Sequence, residues 1–128
     1  MDNLHIAATA TSPEIDFQFD RNLLSLKGES YPENAAAFYT PVIERLRAYL
    51  ASCADAVITV DVSLTYFNSS STKMLFSIFD ALEHATSSGN SVLVNWYRDD
   101  EDETILEFGE ELQIDFTGIK FNDCPIVG

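Results

Sequence analysis

The run Asn68-Ser69-Ser70-Ser71 carries the side chains best suited to chemistry in this chain. Asn or Ser at the start of a helix accepts hydrogen bonds from the free amides of the first turn, so capping alone accounts for these residue types. The same hydroxyls are also phosphoryl acceptors. A phosphate there adds about −1.5 to −2 charges and meets the helix amides and the positive end of the dipole. The fold survives such a change, while a neutral hydroxyl patch becomes a dianion that repels an apolar or acidic partner. Lys73 lies one turn into the same helix, where it can pair with the phosphate or meet a kinase.

Other chemistry has less to stand on. His5 and His84 are the only histidines, and His84 falls on the polar side of its helix with Asp80. The chain has no Cys–His or Ser–His–Asp arrangement, no HExxH zinc motif and no glycine-rich phosphate loop. Cys53 and Cys124 form no CxxC pair, and in a cytosolic chain they are expected to be buried thiols. The acidic run Asp99–Glu103 suits a helix N-terminus; a divalent-metal site in a small enzyme is its rival reading. The expectation is no enzyme, no cofactor and no metal.

Net charge bounds the partners. Twenty-one acidic residues against seven basic ones give −14, which repels phosphate backbones and anionic lipid. Nucleic acid and direct membrane binding are therefore not expected, and a basic protein surface is compatible. The length of 128 residues, with 46% hydrophobic and 12% aromatic content, suits a single domain over 1–128 with one core. No apolar stretch approaches the ~20 residues of a membrane span, and the start Met1-Asp2-Asn3-Leu4-His5-Ile6 has no secretory character. A cytoplasmic location is expected.

The elements that must position the serines follow from periodicity. Ile15, Phe17 and Phe19 alternate with polar residues, Asp20-Arg21-Asn22 supplies turn chemistry, and Leu24 and Leu26 resume the alternation: a hairpin. A short strand near Leu4–Ala8 precedes it. Tyr39, Val42, Ile43, Leu46, Tyr49 and Leu50 recur at helical spacing, with two possible starts: at Pro41 behind Thr40, or near Asn34 with a kink. Ile58, Val60, Val62, Leu64 and Tyr66 form one strand face, and Thr59, Asp61, Ser63 and Thr65 the other. That polar second face predicts helices on one side of the sheet only. Leu75, Ile78, Phe79 and Leu82 mark a second helix ending around Ser87-Ser88-Gly89. Val92, Val94 and Trp96 make a strand, Ile105, Phe108 and Leu112 a third helix, and Ile119 and Phe121 a last strand. The order predicts an α/β fold with a mixed, mostly parallel sheet.

Three stretches resemble one known family, that of the SiaC-type regulatory phosphoproteins, related to STAS and SpoIIAA-like domains. They are Gly28-Glu29-Ser30-Tyr31-Pro32-Glu33-Asn34, Leu64-Thr65-Tyr66-Phe67-Asn68-Ser69-Ser70-Ser71-Thr72-Lys73, and Ile78-Phe79-Asp80-Ala81-Leu82-Glu83. The likeness spans nearly the full length and implies a STAS-like fold. It implies a partner-switching circuit: a serine/threonine kinase modifies the residue after the Asn, and a metal-dependent phosphatase restores it. The unmodified form binds and activates a diguanylate cyclase, raising cyclic di-GMP and promoting biofilm. Carried to this chain, the acceptor is Ser69, with Ser70 and Ser71 as rivals. The resemblance also implies a partner surface of Tyr31, Pro32, Glu33, Asn34, Tyr66, Asn68, Ser70, Ser71 and Lys73. An anti-sigma-factor antagonist with a different output is the alternative, although Asn68 stands where the wider STAS pattern commonly has Asp.

Overall fold

The computed structural model describes residues 1–127. Six strands form one sheet in chain order: β1 (Leu4–Ile6), β2 (Glu14–Gln18), β3 (Leu23–Ser30), β4 (Val57–Phe67), β5 (Ser91–Asp99) and β6 (Lys120–Ile126). The β1–β2 and β2–β3 pairs are antiparallel; β3–β4, β4–β5 and β5–β6 are parallel. The parallel crossovers carry α1 (Ala35–Ser52), α2 (Ser69–Thr86) and α3 (Glu103–Asp115). Right-handed crossovers that all advance in one direction place their helices on one face.

Burial along β4 records that arrangement. Ile58, Val60, Val62 and Leu64 are each 2% exposed or less, whereas Thr59, Asp61 and Ser63 stay half-buried on the bare face. There the polar groups satisfy one another across strands. Asn95 Nδ2 donates to Asp61 Oδ1 at 2.9 Å, and Asn122 Nδ2 donates to Asn95 Oδ1 at 3.1 Å. No helix among the described residues is long and apolar enough to cross a membrane.

The hairpin turns as expected, through a single 3-10 turn over Phe19–Arg21 and Asn22 in the left-handed region at φ 53°, a conformation Asn tolerates. Helix α1 begins behind Asn34, whose side chain accepts from the Ala37 amide at 3.0 Å, and continues through Pro41. An interior proline costs about 3 kcal/mol. Against it, the turns before Pro41 bury Ala35 and Tyr39, Tyr39 contributing about 1.5–3 kcal/mol, and the Asn34 cap adds about 1 kcal/mol. Together these are of the size of the proline cost, which is why helix and proline coexist.

Two sequence expectations need correction. Tyr66 does not share the core face of β4. Gly28 pairs with Leu64 but Glu29 pairs with Tyr66, so Thr65 is an extra residue opposite the Gly28–Glu29 step. Such a bulge flips the alternation beyond it. Tyr66 is thereby turned outward at 51% exposed, and Phe67 turns inward to meet Phe108 with ring centroids 4.7 Å apart. The second correction concerns the thiols. Cys53 and Cys124 are free but only partly buried, because Cys53 sits at the C-cap of α1 and Cys124 lies on the edge strand.

Candidate functional site

The site is the junction where β3 runs into α1 beside the turn from β4 into α2. Parallel pairing brings the two strand ends together: Ser30 pairs with Phe67, and the Asn68 amide donates to the Ser30 carbonyl at 3.1 Å. Asn68 is the N-cap of α2. Its side-chain oxygen accepts from the Ser71 amide at 2.9 Å, and its carbonyl accepts from the Thr72 amide at 3.0 Å and the Thr72 hydroxyl at 3.1 Å. One asparagine thus fixes the entry of the helix.

That cap sorts the three serines. Ser69 and Ser70, the first two helical residues, are exposed; Ser71, the third, is fully buried. The Ser71 hydroxyl accepts from Ser30 Oγ at 2.8 Å, and Ser30 is itself hydrogen-bonded to the hydroxyl of Tyr39 from α1. All three side chains have no exposed surface. Burial pushes the Tyr39 phenol above its ordinary value, with the Ser30 hydrogen bond acting in the opposite sense. A chain of neutral hydroxyls therefore ties α1, β3 and α2 together beneath the turn.

Tyr31 and Tyr66 stand over the junction as a surface pair, 37% and 51% exposed, in an edge-to-face arrangement with centroids 5.6 Å apart. The Tyr31 amide donates to the Thr11 carbonyl at 2.7 Å, which fixes the start of this loop. Pro32 is half-buried and Glu33 exposed; Glu33 takes part in no ion pair among the described residues. Asn34 is engaged by its own helix cap rather than by the serine turn. Lys73 is exposed and unpaired among the described residues, and with Ser69, Ser70, Thr72 and Phe76 it lines an open depression of about 490 Å³. Reasoning from sequence missed Ser30 and Tyr39. They lie 41 and 32 positions from Ser71, and only the β3–β4 pairing makes them neighbours. Phe76 was missed as well, its spacing from Lys73 giving a surface rather than a core signal.

The acidic run has a structural role here. Asp102 caps α3 by accepting from the Ile105 amide at 3.1 Å, and the Asp99 side chain accepts from the Glu101 amide at 2.9 Å. Among the described residues no three His, Cys, Asp or Glu side chains are grouped to hold a metal ion.

Comparison with known proteins adds the identity. Residues 6–126 match the family described as SiaC family regulatory phosphoprotein. The chain belongs to the SiaC family. An uncharacterised protein of Pseudomonas aeruginosa (strain UCBPP-PA14) is 35% identical over 115 residues, covering 90% of each chain. The crystal structure of apo-SiaC from Pseudomonas aeruginosa superposes with a TM-score of 0.88 at 32% identity, covering 97% of this chain and 99% of that one. A second match is SiaC in the crystal structure of the diguanylate cyclase SiaD in complex with its activator SiaC. It gives a TM-score of 0.89 at 32% identity, covering 96% of this chain and 99% of that one. The six-stranded mixed sheet with three helices on one face is thus the STAS-like fold of SiaC.

Proposed function

We propose that this SiaC-family protein is a non-enzymatic switch in the cytoplasm, which in its unmodified form binds and activates a diguanylate cyclase and releases it when Ser69 is phosphorylated. The observation that carries the reading is the sorting of the three serines by the Asn68 cap. A kinase needs a hydroxyl that can enter its active site. Ser71, fully buried and hydrogen-bonded to Ser30, is a poor acceptor, while Ser69 and Ser70 are exposed. Between those two, the family pattern points to the residue directly after the asparagine, which is Ser69.

The helix end suits the product. The first amides of a helix have no intrahelical acceptor, and the dipole favours an anion there. A phosphate on Ser69 is accommodated without unfolding α2, and Lys73 is within one helical turn to pair with it. A serine/threonine kinase and a metal-dependent phosphatase are the partners that write and erase the mark. The cyclase as output is supported by the relative SiaC, the activator of the diguanylate cyclase SiaD in their shared structure.

The test begins with intact-mass and fragment-ion measurement on protein from its native cells, with and without phosphatase. A single phosphate on Ser69 is expected. In reconstitution, Ser69→Ala should bind the cyclase as the unmodified protein does, and Ser69→Glu should bind at least tenfold more weakly. A Ser69→Ala protein that still takes one phosphate from its kinase removes Ser69 from this role.

A further inference from the structure

The first turn of α2 has no apolar anchor. Ser69, Ser70, Ser71, Thr72 and Lys73 come before Met74, and the first fully buried apolar side chain of the helix is Leu75. Helix ends fray unless other contacts hold them. Here two polar devices do so. The Asn68 cap holds the backbone of the turn, and the Ser71 hydroxyl, inserted beneath it, holds the turn from the core side.

Counting protons gives the buried chain of hydroxyls a direction. Ser30 has one hydroxyl hydrogen and gives it to Ser71, so the Tyr39 hydroxyl is the donor to Ser30. The relay runs from α1 through the end of β3 to α2, and among the described residues no buried side-chain polar atom lacks a partner. Stability is a weak reason for such a relay. The net contribution of a neutral hydrogen bond is small, and apolar groups in place of all the partners would be nearly neutral. What the relay supplies and an apolar contact lacks is direction. A helix turns by about 100° per residue, so with Ser71 pinned towards β3, Ser70 lies about 100° round the axis and Ser69 about 160°. Both are exposed, but Ser69 has the aim furthest from the core. A rotation of the turn by about one residue would give that aim to Ser70.

We propose that the Tyr39–Ser30–Ser71 relay selects the phosphoryl acceptor, by fixing the rotational setting of the first turn of α2 so that the kinase meets Ser69 rather than Ser70. The assignment rests on the functional reading above and deepens it. All three are positioning residues, acting through Ser69 without touching the phosphoryl donor. In the transfer, Ser69 Oγ forms a bond to the γ-phosphorus of the kinase's ATP. The bond to the bridging oxygen breaks, releasing ADP, and the hydroxyl proton passes to the kinase's catalytic base. Attack has to be in line, and a misplacement of about 1 Å can cost about a hundredfold in rate. A loosened turn therefore lowers turnover, while contacts away from the turn still hold the kinase. That loss falls on kcat and spares KM.

The experiment is a steady-state assay of full-length variants with ATP and the serine/threonine kinase from the same cells, the phosphate being placed by fragment-ion mass spectrometry. Tyr39→Phe and Ser71→Ala break the relay singly. The triple variant Ser30→Ala, Tyr39→Phe, Ser71→Ala removes it whole and leaves none of its hydroxyls unpaired, so urea denaturation should find it folded. In each, kcat for Ser69 is expected to fall at least tenfold with KM within twofold of wild type, and the share of phosphate on Ser70 to rise at least fivefold. Asp123→Asn, on the edge strand β6, should keep wild-type kinetics. Wild-type kcat with Ser69 alone modified in the folded triple variant overturns the relay and leaves the switch standing. An equal loss in Asp123→Asn traces the effect to stability and overturns it too, as does a raised KM at unchanged kcat. If the wild-type chain takes no phosphate on Ser69, the functional reading falls and this assignment falls with it.

Discussion

Ser71 lies two positions beyond Ser69 and has the opposite fate. Its hydroxyl accepts from Ser30, and its amide is held by Asn68. Replacing it with Ala leaves Ser30 its other partner, Tyr39. The expected loss is that of one hydrogen bond, about 1 kcal/mol. Ser71→Asp places a carboxylate where no cation reaches it, at a cost of about 3 kcal/mol or more. Ser69→Asp, on the surface, should change stability by less than about 0.5 kcal/mol. Urea denaturation of the three variants checks this order. A Ser71→Asp protein as stable as Ser69→Asp would show that the third serine is accessible after all. This difference between neighbours was hidden in the residues themselves, where Ser69, Ser70 and Ser71 read alike and only the family resemblance favoured Ser69. It arises from contacts with residues on other elements, which no local pattern encodes.

At the scale of elements, periodicity was informative wherever a side chain's direction follows from its neighbours along the chain. The alternation of Ile15, Phe17, Leu24 and Leu26 and the helical spacing from Tyr39 to Leu50 predicted both the elements and their buried faces. The same reasoning left the start of α1 open, since the outcome depended on comparing a proline penalty with packing still to be seen. It failed at Tyr66, because the bulge is set by how β3 and β4 pair. Two further contacts between elements yield predictions. Gly109 of α3 lies against Trp96 of β5, where an added Cβ would be 2.7 Å from the indole Nε1. That nitrogen donates to the Ile105 carbonyl at 3.0 Å. Gly109→Ala gains about 1 kcal/mol of helix propensity but overpacks the contact by about 1–3 kcal/mol. The net expectation is lower stability with a red-shifted emission from this single tryptophan. Higher stability with unchanged emission would refute the close contact. Between β5 and β6, Arg98 grips Asp123 through two hydrogen bonds of 2.8 Å. The Arg98 hydrogen bond and charge hold the Asp123 carboxyl below its ordinary range. A depressed folded-state pKa stabilises above the unfolded value and is lost as pH falls through the folded one. Asp123→Asn should therefore lower Tm at neutral pH, and the gap to wild type should close as pH drops below the carboxylate range. A gap that stays constant with pH would show that the loss is one of packing rather than of charge.

Across the whole molecule, −14 charges on 128 residues make self-repulsion a general cost of the folded state. Screening reduces it, the Debye length falling from about 30 Å at 0.01 M to about 3 Å at 1 M salt. Tm is expected to rise when NaCl goes from about 10 mM to about 500 mM. A flat or falling profile would mean that favourable ion pairs dominate, contrary to the scarcity of salt bridges among the described residues. Composition made this acidity plain, and the polar second face of β4 correctly announced a sheet covered on one side. The distribution of charge over the helix layer was less legible. It depends on which helices stand side by side, and that is set by the strand order.

Thr65 is a residue of β4 that the pairing with β3 does not count. Leu64 and Tyr66 face successive residues, Gly28 and Glu29, as direct neighbours in an unbroken strand would. A deletion at 65 therefore joins them in the existing register, and ordinary alternation keeps Tyr66 outward and Phe67 inward. The strand thus carries one residue of slack, and the surface that bears the mark tolerates its loss as well as its replacement.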